Sequence, residues 1–146
     1  MHPGRRPQYP GSMRAIAVGA AVLGLLLAGS AFAGSSSGTT LRIRYWEDSA
    51  VPAESWTWTL RCGPARGTVP HPVRACARLA SGGAKLFAPV PQNALCTQIY
   101  GGPQKARVVG TVNGRRVHAT FTRTNGCEIS RWQRISPWLV PAGGVR

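Results

Sequence analysis

Acidic residues are scarce in this chain. Four Asp and Glu stand against 18 Lys and Arg, which gives a formal net charge of +14. The acids are Glu47, Asp48, Glu54 and Glu128, and the sequence has no G-x-S-x-G motif or similar setting for a nucleophile. Hydrolytic catalysis needs an acid, a base or a nucleophile held together in one site. The sequence therefore predicts that the chain is not an enzyme.

Metal-binding spacings are missing as well. No C-x-x-C pair occurs, and the later histidines, His71 and His118, stand at spacings that do not suit zinc. We predict neither a metal nor another cofactor.

What the chain does contain is an even number of cysteines. Cys62, Cys76, Cys96 and Cys127 all follow the N-terminal apolar segment. In a small exported chain this count predicts two disulfides, which add stability where the hydrophobic core is limited. Four cysteines allow three pairings, and their positions alone do not choose among them.

The N-terminal segment has no apolar run long enough for a membrane span. Three arginines precede an uncharged stretch at residues 15–34, and an A-x-A pattern closes it at residues 31–33. The strongly apolar part is shorter than the roughly 20 residues that a span needs, and no basic stop-transfer run follows. We interpret residues 1–33 as a cleaved signal peptide and predict a secreted, extracellular protein with no membrane association after cleavage.

The rest of the chain is short enough for one small domain. We predict a flexible lead at residues 34–40, a folded domain at residues 41–137 and a C-terminal tail at residues 138–146. The positive charge favours anionic partners without naming one. One possible function is therefore that of a basic secreted binding module for anionic surfaces or nucleic acid, with no inhibitory activity toward another protein. An exported, disulfide-bonded chain rarely meets nucleic acid, so no nucleic-acid partner is expected.

Alternating apolar and polar residues predict antiparallel strands, and two segments have helical periodicity. The Asn113-Gly114 pair is a strong hairpin signal because both residues tolerate positive φ. The predicted class is α+β. The strands are predicted near residues 41–46, 55–62, 106–112 and 117–123, and the helices at residues 72–80 and 128–135.

The stretch ALCTQIYGGP at residues 94–103 has neither charge nor helical periodicity. A cysteine holds one side of a polar segment, and a rigid Gly-Gly-Pro turn holds the other. Either this segment packs against the domain, or it is presented to a partner.

Taken together, these landmarks resemble the subtilisin inhibitor family of actinobacteria. The residues that carry the resemblance are Cys62, residues 67–72, Ala75, Cys76 and Leu79, residues 96–100, residues 110–117 and residues 125–127. It implies the pairs Cys62–Cys76 and Cys96–Cys127, and a five-stranded antiparallel sheet with two helices. It also implies a homodimer through sheet faces and a partner that is a subtilisin-like serine protease.

The resemblance further implies that the protein is a secreted, reversible, substrate-like inhibitor of subtilisin-type serine proteases, with its reactive bond on a disulfide-tethered loop. The reactive bond lies two residues past the third cysteine, between Gln98 at P1 and Ile99 at P1′. Leu95, Cys96 and Thr97 then occupy P4, P3 and P2. Tyr100 follows P1′ on the protease-contact side.

Two further implications concern the support and the specificity of this loop. Asn125 matches a family asparagine that braces the loop from behind, and the glycine after it, Gly126, is expected to loosen the turn. Gln98 suits neither a trypsin-like nor a chymotrypsin-like pocket, whereas broad subtilisin pockets accept it more readily, with Leu95 as an apolar P4 residue.

Overall fold

A computed structural model describes residues 38–143 of the chain. The predicted signal peptide lies outside these residues. The elements in chain order are β1 (Thr39–Trp46), β2 (Trp56–Cys62), β3 (Arg66–Gly67), α1 (Pro72–Gly82), a 3₁₀ turn (Gly83–Phe87), β4 (Lys105–Val112), β5 (Arg115–Phe121) and α2 (Gly126–Ile135). The predicted α+β class, with about five strands and two short helices, is confirmed. The two-residue strand β3 was not predicted, because it lies in a Gly- and Pro-rich loop.

The five strands form one antiparallel sheet in the order β3-β2-β1-β4-β5. β1 lies at the centre, where Leu41, Ile43 and Tyr45 are buried while Arg42 and Arg44 are exposed. This alternation follows from the two-residue period of a strand. It gives the sheet an inner face that packs against the helices and an outer face that is open.

The predicted hairpin joins β4 to β5. Asn113 and Gly114 have φ of 50° and 76°, the left-handed conformation that a two-residue hairpin turn requires. The pairing of Val112 with Arg115 continues directly on either side of the turn.

The helices close the inner face. α1 begins with Pro72, contributes Ala75 and Leu79 to the core, and ends before Gly83 at φ 58°, close to the predicted end. α2 contributes Trp132 and Ile135. It begins at Gly126, two residues earlier than predicted, because Asn125 supplies its N-terminal cap.

The chain after α2 returns to the core. Trp138, Leu139 and Val140 are at most 2% exposed, and the Trp132 indole N–H donates to the Pro141 carbonyl. The predicted domain limits at residues 41 and 137 stay a prediction. The structure begins β1 at Thr39 and packs part of the predicted tail into the core.

Both disulfides join the partners that the resemblance implied. Cys62–Cys76 connects the end of β2 to α1, and Cys96–Cys127 connects the segment before β4 to the first turn of α2. Within residues 38–143, no helix has the length and apolar character that a membrane crossing requires.

Candidate functional site: an exposed loop tethered at both ends

The candidate site is the irregular segment that leads from the 3₁₀ turn to β4. Leu95 is fully exposed, Ile99 is 61% exposed and Tyr100 is 58% exposed, and the polar residues Thr97 and Gln98 between them are exposed as well. Large apolar side chains that share one exposed stretch mark a surface for a binding partner rather than a packed loop. Of the two possibilities that the sequence left open, presentation to a partner fits this exposure.

The segment before the predicted reactive bond is fixed to the start of α2. The Cys96–Cys127 disulfide holds the two Cα atoms 5.3 Å apart. One residue further on, the Gly126 N–H donates to the Thr97 carbonyl at 2.9 Å. A covalent bond and a backbone hydrogen bond therefore hold adjacent residues of the loop to adjacent residues of the helix.

Gly126 also lies directly behind Thr97. A Cβ atom built on Gly126 would lie 2.1 Å from the Thr97 Oγ1, which is far inside van der Waals contact. The expectation that Gly126 loosens the turn is wrong, because this glycine begins a helix and allows the loop to approach closely. Its missing side chain leaves the space for this close approach, and the disulfide and the backbone hydrogen bond hold the two segments there.

The segment after the predicted reactive bond enters the protein at once. Gly101 and Gly102 are buried, and the Gly101 N–H donates to the Arg123 carbonyl at 2.7 Å. A Cβ atom on Gly101 would lie 2.8 Å from the Ile129 side chain. The loop thus has a second fixed end immediately after Tyr100.

A buried polar network supports this second end. The Arg123 side chain is 9% exposed and donates to the Gln104 Oε1 at 2.8 Å. The Gln104 amide donates in turn to Glu47 at 3.4 Å, and Glu47 also accepts from the Tyr45 hydroxyl. The bonds of Arg123 Nη1 and Gln104 favour one position for the strand entry beneath the loop, while the buried Arg123 Nε has no hydrogen-bond partner within residues 38–143.

The Gln98 side chain bonds locally. Its Nε2 donates to the Cys96 carbonyl at 3.3 Å, while the residue as a whole stays exposed. A side chain bonded only to its own loop is free to exchange that bond for one in a partner's pocket.

Asn125 has a clear structural role next to the loop. Its Oδ1 accepts from the Glu128 N–H at 3.0 Å, which caps α2. Within the described part of the chain, its side-chain nitrogen makes no hydrogen bond to a loop carbonyl, and the bonds to the loop come instead from Gly126 and Arg123. Bracing of the loop by the Asn125 amide therefore stays a prediction.

Sequence reasoning missed the support residues Arg123, Gln104 and Gly101. An arginine next to a turn is normally expected in solvent, so nothing in the pattern marks Arg123 as buried. The sequence predicts a rigid turn at the Gly-Gly-Pro run, but the contact of Gly101 with Ile129 depends on tertiary packing.

No group of three or more His, Cys, Asp or Glu side chains within residues 38–143 is arranged to hold a metal ion. The site is a surface of peptide backbone and neutral side chains. The class of protein that this fold and site define is a small disulfide-bonded domain that presents an exposed, doubly tethered loop.

Comparison with known proteins identifies the family. The subtilisin inhibitor-like family model matches residues 36–125, and the chain belongs to this family. A subtilase-type protease inhibitor of Streptomyces fradiae is 38% identical over 109 residues, which cover 69% of this chain and 76% of that protein. A subtilisin inhibitor-like protein 8 of Streptomyces virginiae is 38% identical over 89 residues, 58% of this chain and 78% of that protein. The family consists of protease inhibitors, so the prediction that the chain is not an enzyme is confirmed.

Among solved structures, the chain is similar to sermetstatin of Streptomyces caespitosus, crystallised in complex with Bacillus licheniformis subtilisin. The identity is 29%, the TM-score is 0.43, and the match covers 64% of this chain and 90% of that one.

Proposed function

We propose that this protein is a secreted, substrate-like, reversible inhibitor of subtilisin-type serine proteases, with Gln98–Ile99 as its reactive bond. Membership of the subtilisin inhibitor-like family and a 38% identical relative named as a subtilase inhibitor support the target class. The observation that carries the proposal is the exposed loop fixed at both ends.

Preorganisation explains how such a loop inhibits a protease instead of serving as its substrate. A protease binds an extended peptide, and fixing the backbone of each residue costs a flexible peptide about 1–2 kcal/mol. A change of about 1.4 kcal/mol is tenfold in Kd, so each residue ordered before binding strengthens binding by about tenfold. The anchors at Cys96, Thr97 and Gly101 order the residues between them in advance.

The assignment of individual subsites rests on the resemblance and on exposure. Gln98 would enter the S1 pocket and Leu95 the S4 pocket, with Thr97 between them at P2. The Leu95 side chain is fully exposed, so it can enter a pocket without leaving a packed position. A neutral P1 residue favours a broad pocket over the acidic pocket of trypsin.

Reversibility follows from the two tethers. Cleavage between Gln98 and Ile99 would leave the first new end attached through Cys96 and the second attached through Gly101. Because neither end diffuses away, re-formation of the peptide bond competes with release of a cleaved product.

We also propose secretion by the signal peptide at residues 1–33, in keeping with the two disulfides, which form in oxidising compartments. The predicted homodimer through sheet faces stays a prediction. Sedimentation of the secreted protein at low ionic strength tests it.

Titration of subtilisin with the purified secreted protein tests the inhibitory function. We expect activity to fall linearly to near zero at about one inhibitor per enzyme, as tight stoichiometric binding requires. Full activity at a large molar excess would refute the proposal.

Acid quenching of the complex, followed by mass measurement, tests the position of the bond. A cut after Gln98 adds the mass of one water molecule while the disulfide is intact, and gives two separate chains only after reduction. A cut at another peptide bond would refute the assignment of Gln98 and Ile99 without refuting inhibition.

A further inference from the structure

Arg123 is a buried arginine that is incompletely paired. Its side chain is 9% exposed, and its Nη1 donates to the Gln104 Oε1 at 2.8 Å. Its Nε has no hydrogen-bond partner within residues 38–143. A buried polar group without a partner costs stability, and native proteins keep only a few of them. The position of this side chain therefore requires an explanation other than fold stability.

A second buried arginine has the opposite character. Arg131 is 5% exposed, donates to the carbonyls of Ala88 and Thr120, and forms an ion pair with Glu128 at 2.7 Å. Within residues 38–143, Arg123 forms no ion pair with a carboxylate. Arg131 thus stabilises the fold through paired bonds, whereas the position of Arg123 has to be explained by what its side chain packs against.

The Arg123 guanidinium packs against the backbone of two glycines. A Cβ atom built on Gly102 would lie 3.0 Å from its Nη1, and a Cβ atom built on Gly143 would lie 2.8 Å from the same nitrogen. Both glycines have positive φ, of 127° and 71°. The Trp132 ring is also near, with its centroid 6.0 Å from the guanidinium carbon. The space between these groups suits a flat side chain and leaves no room for a side chain on either glycine.

Gly102 belongs to the end of the loop, so this packing acts on the loop directly. Gly101 and Gly102 are consecutive, and glycine has more backbone freedom than any other residue. A Gly-Gly pair is therefore not rigid by itself. Arg123 holds both members, because its carbonyl accepts from the Gly101 N–H at 2.7 Å and its guanidinium packs against Gly102.

We propose that the Arg123 guanidinium is a positioning group for the segment after the reactive bond, an inference that rests on the proposed inhibitory function. By fixing Gly102, it keeps this segment in place whether the bond is intact or cleaved. The flat shape of the group matters more for this task than its charge, because the group fills the space between two backbone segments.

Re-formation of the reactive bond explains why this position matters. Cleavage gives an acyl-enzyme, in which the Gln98 carbonyl carbon is joined to the protease serine and the Ile99 amino group is free. When the amine attacks that carbon, the ester bond breaks, and the proton that the amine loses returns to the serine oxygen. The effective concentration of the amine depends on how firmly the chain is held two residues further on, at Gly101. If this segment were loose, water would reach the acyl-enzyme first and release a cleaved inhibitor.

The equilibrium between cleaved and intact inhibitor tests this role. Wild-type, Arg123→Met and Arg131→Met proteins are incubated with a catalytic amount of subtilisin until the ratio of cleaved to intact chains is constant. Mass measurement after reduction gives this ratio. Cleavage of Arg123→Met would free the backbone of one more glycine, which should raise the ratio about tenfold. Arg131→Met should change it by less than about twofold, because the bonds of Arg131 lie outside residues 95–102.

Thermal unfolding separates positioning from stabilisation. Arg123→Met removes a buried nitrogen that has no partner, so its thermal midpoint should lie within about 4 °C of the wild type's. Arg131→Met breaks a buried ion pair and should lower the midpoint by more than about 10 °C. The two variants are thus expected to have opposite effects on the hydrolysis ratio and on stability.

Hydrogen exchange in the free protein provides a measurement that needs no protease. The Gly101 amide should exchange about tenfold faster in Arg123→Met, while the amides of β1 should exchange as in the wild type. Arg123→Lys keeps the charge but lacks the flat group, and its Gly101 amide should exchange at least about threefold faster than in the wild type.

The outcomes separate this inference from the proposed function. If the wild type does not inhibit subtilisin, the proposed function fails, and exchange at Gly101 still decides whether Arg123 fixes the segment. If the wild type inhibits and Arg123→Met has the wild-type ratio and exchange rate, the inference is overturned and the function stands. Wild-type exchange in Arg123→Lys would overturn the role of the flat group. A midpoint of Arg123→Met as low as that of Arg131→Met would assign Arg123 to fold stability instead.

Discussion

The close approach of Gly126 to Thr97 gives the sharpest prediction about the loop. A methyl group at residue 126 would lie 2.1 Å from the Thr97 Oγ1 and 3.4 Å from the Thr97 Cβ. Rotation of Thr97 about χ1 puts either Cγ2 or Hβ in the place of Oγ1, so only one of the other two staggered rotamers avoids a heavy-atom clash. We therefore expect Gly126→Ala to push the P2 residue out of its position and strain the 2.9 Å bond to its carbonyl.

The magnitude follows from the cost of overpacking, about 1–3 kcal/mol for an added methylene in a close-packed site. In the free inhibitor the loop moves and relieves the clash, but a protease requires the original shape. The cost then appears on binding and should weaken inhibition of subtilisin about 5- to 150-fold, at about 1.4 kcal/mol per factor of ten.

Fold stability should respond differently from inhibition. Residue 126 is the first residue of α2, where alanine is favoured over glycine by up to about 1 kcal/mol. We expect the thermal midpoint of Gly126→Ala to be equal to or above that of the wild type, with the inhibition constant raised.

A double-mutant cycle separates the clash from other effects. Thr97→Ala removes the Oγ1 atom with which a methyl group at residue 126 would clash. In that background, Gly126→Ala should therefore weaken inhibition only slightly. Gly38→Ala is the matched control, since a Cβ atom there meets nothing within 4 Å. Unchanged inhibition by the Gly126→Ala single variant, or an equal loss in both Thr97 backgrounds, would refute the reasoning.

Three further predictions concern the loop and its support. Gln98→Lys should create inhibition of trypsin, because a lysine side chain suits the acidic S1 pocket of trypsin. Residual trypsin activity measures this effect, and an unchanged trypsin rate would show that Gln98 is not the P1 residue. Cys96→Ser/Cys127→Ser should convert the inhibitor into a cleaved substrate, which time-resolved mass measurement would detect. It should also lower the unfolding free energy by about 4 kcal/mol according to the loop-entropy model, measured by denaturant unfolding. Retained tight inhibition would contradict the tethering argument. Asn125→Ala should lose about 1 kcal/mol of stability with the helix cap, whereas Asn125→Asp keeps the capping oxygen but lacks the amide donors. If the Asn125 amide braces the loop, the Asn125→Asp variant should keep its stability but lose inhibition. If this variant inhibits as strongly as the wild type, the role of Asn125 is only to cap the helix.

Much of the fold was predictable because local signals and tertiary structure agree. The alternation of Leu41, Ile43 and Tyr45 with polar residues indicates a strand with one buried face, and the Asn113-Gly114 pair indicates a hairpin. β3 was not predictable in this way, because two residues carry no period. The start of α2 was placed too late, since Gly126 is a poor helix former whose position is fixed by a cap and a disulfide.

The sequence indicated which segment forms the site, but it did not indicate which residues support that segment from beneath. The exposure of Leu95 and Ile99 agrees with the hypothesis of a presented loop, which came from the resemblance and from the cysteine and Gly-Gly-Pro flanks. The residues beneath the loop carry no such signal. Arg123 and Gln104 have polar side chains that a sequence reading places in solvent, and only the folded chain buries them against each other.

The connection between β5 and α2 links these observations to the mechanism. Within residues 123–127, the Arg123 carbonyl holds the loop at Gly101, the Gly126 N–H holds it at Thr97, and Cys127 holds it at Cys96. Both sides of the proposed reactive bond are therefore attached to one five-residue segment that leads into a capped helix. Hydrolysis of that bond would separate two ends whose anchors do not move apart, so it would gain little of the entropy that normally drives peptide cleavage to completion. Inhibition then depends on the rigidity of this connection as much as on the residues that enter the protease, and variants that loosen it should be cleaved faster even where the loop sequence is unchanged.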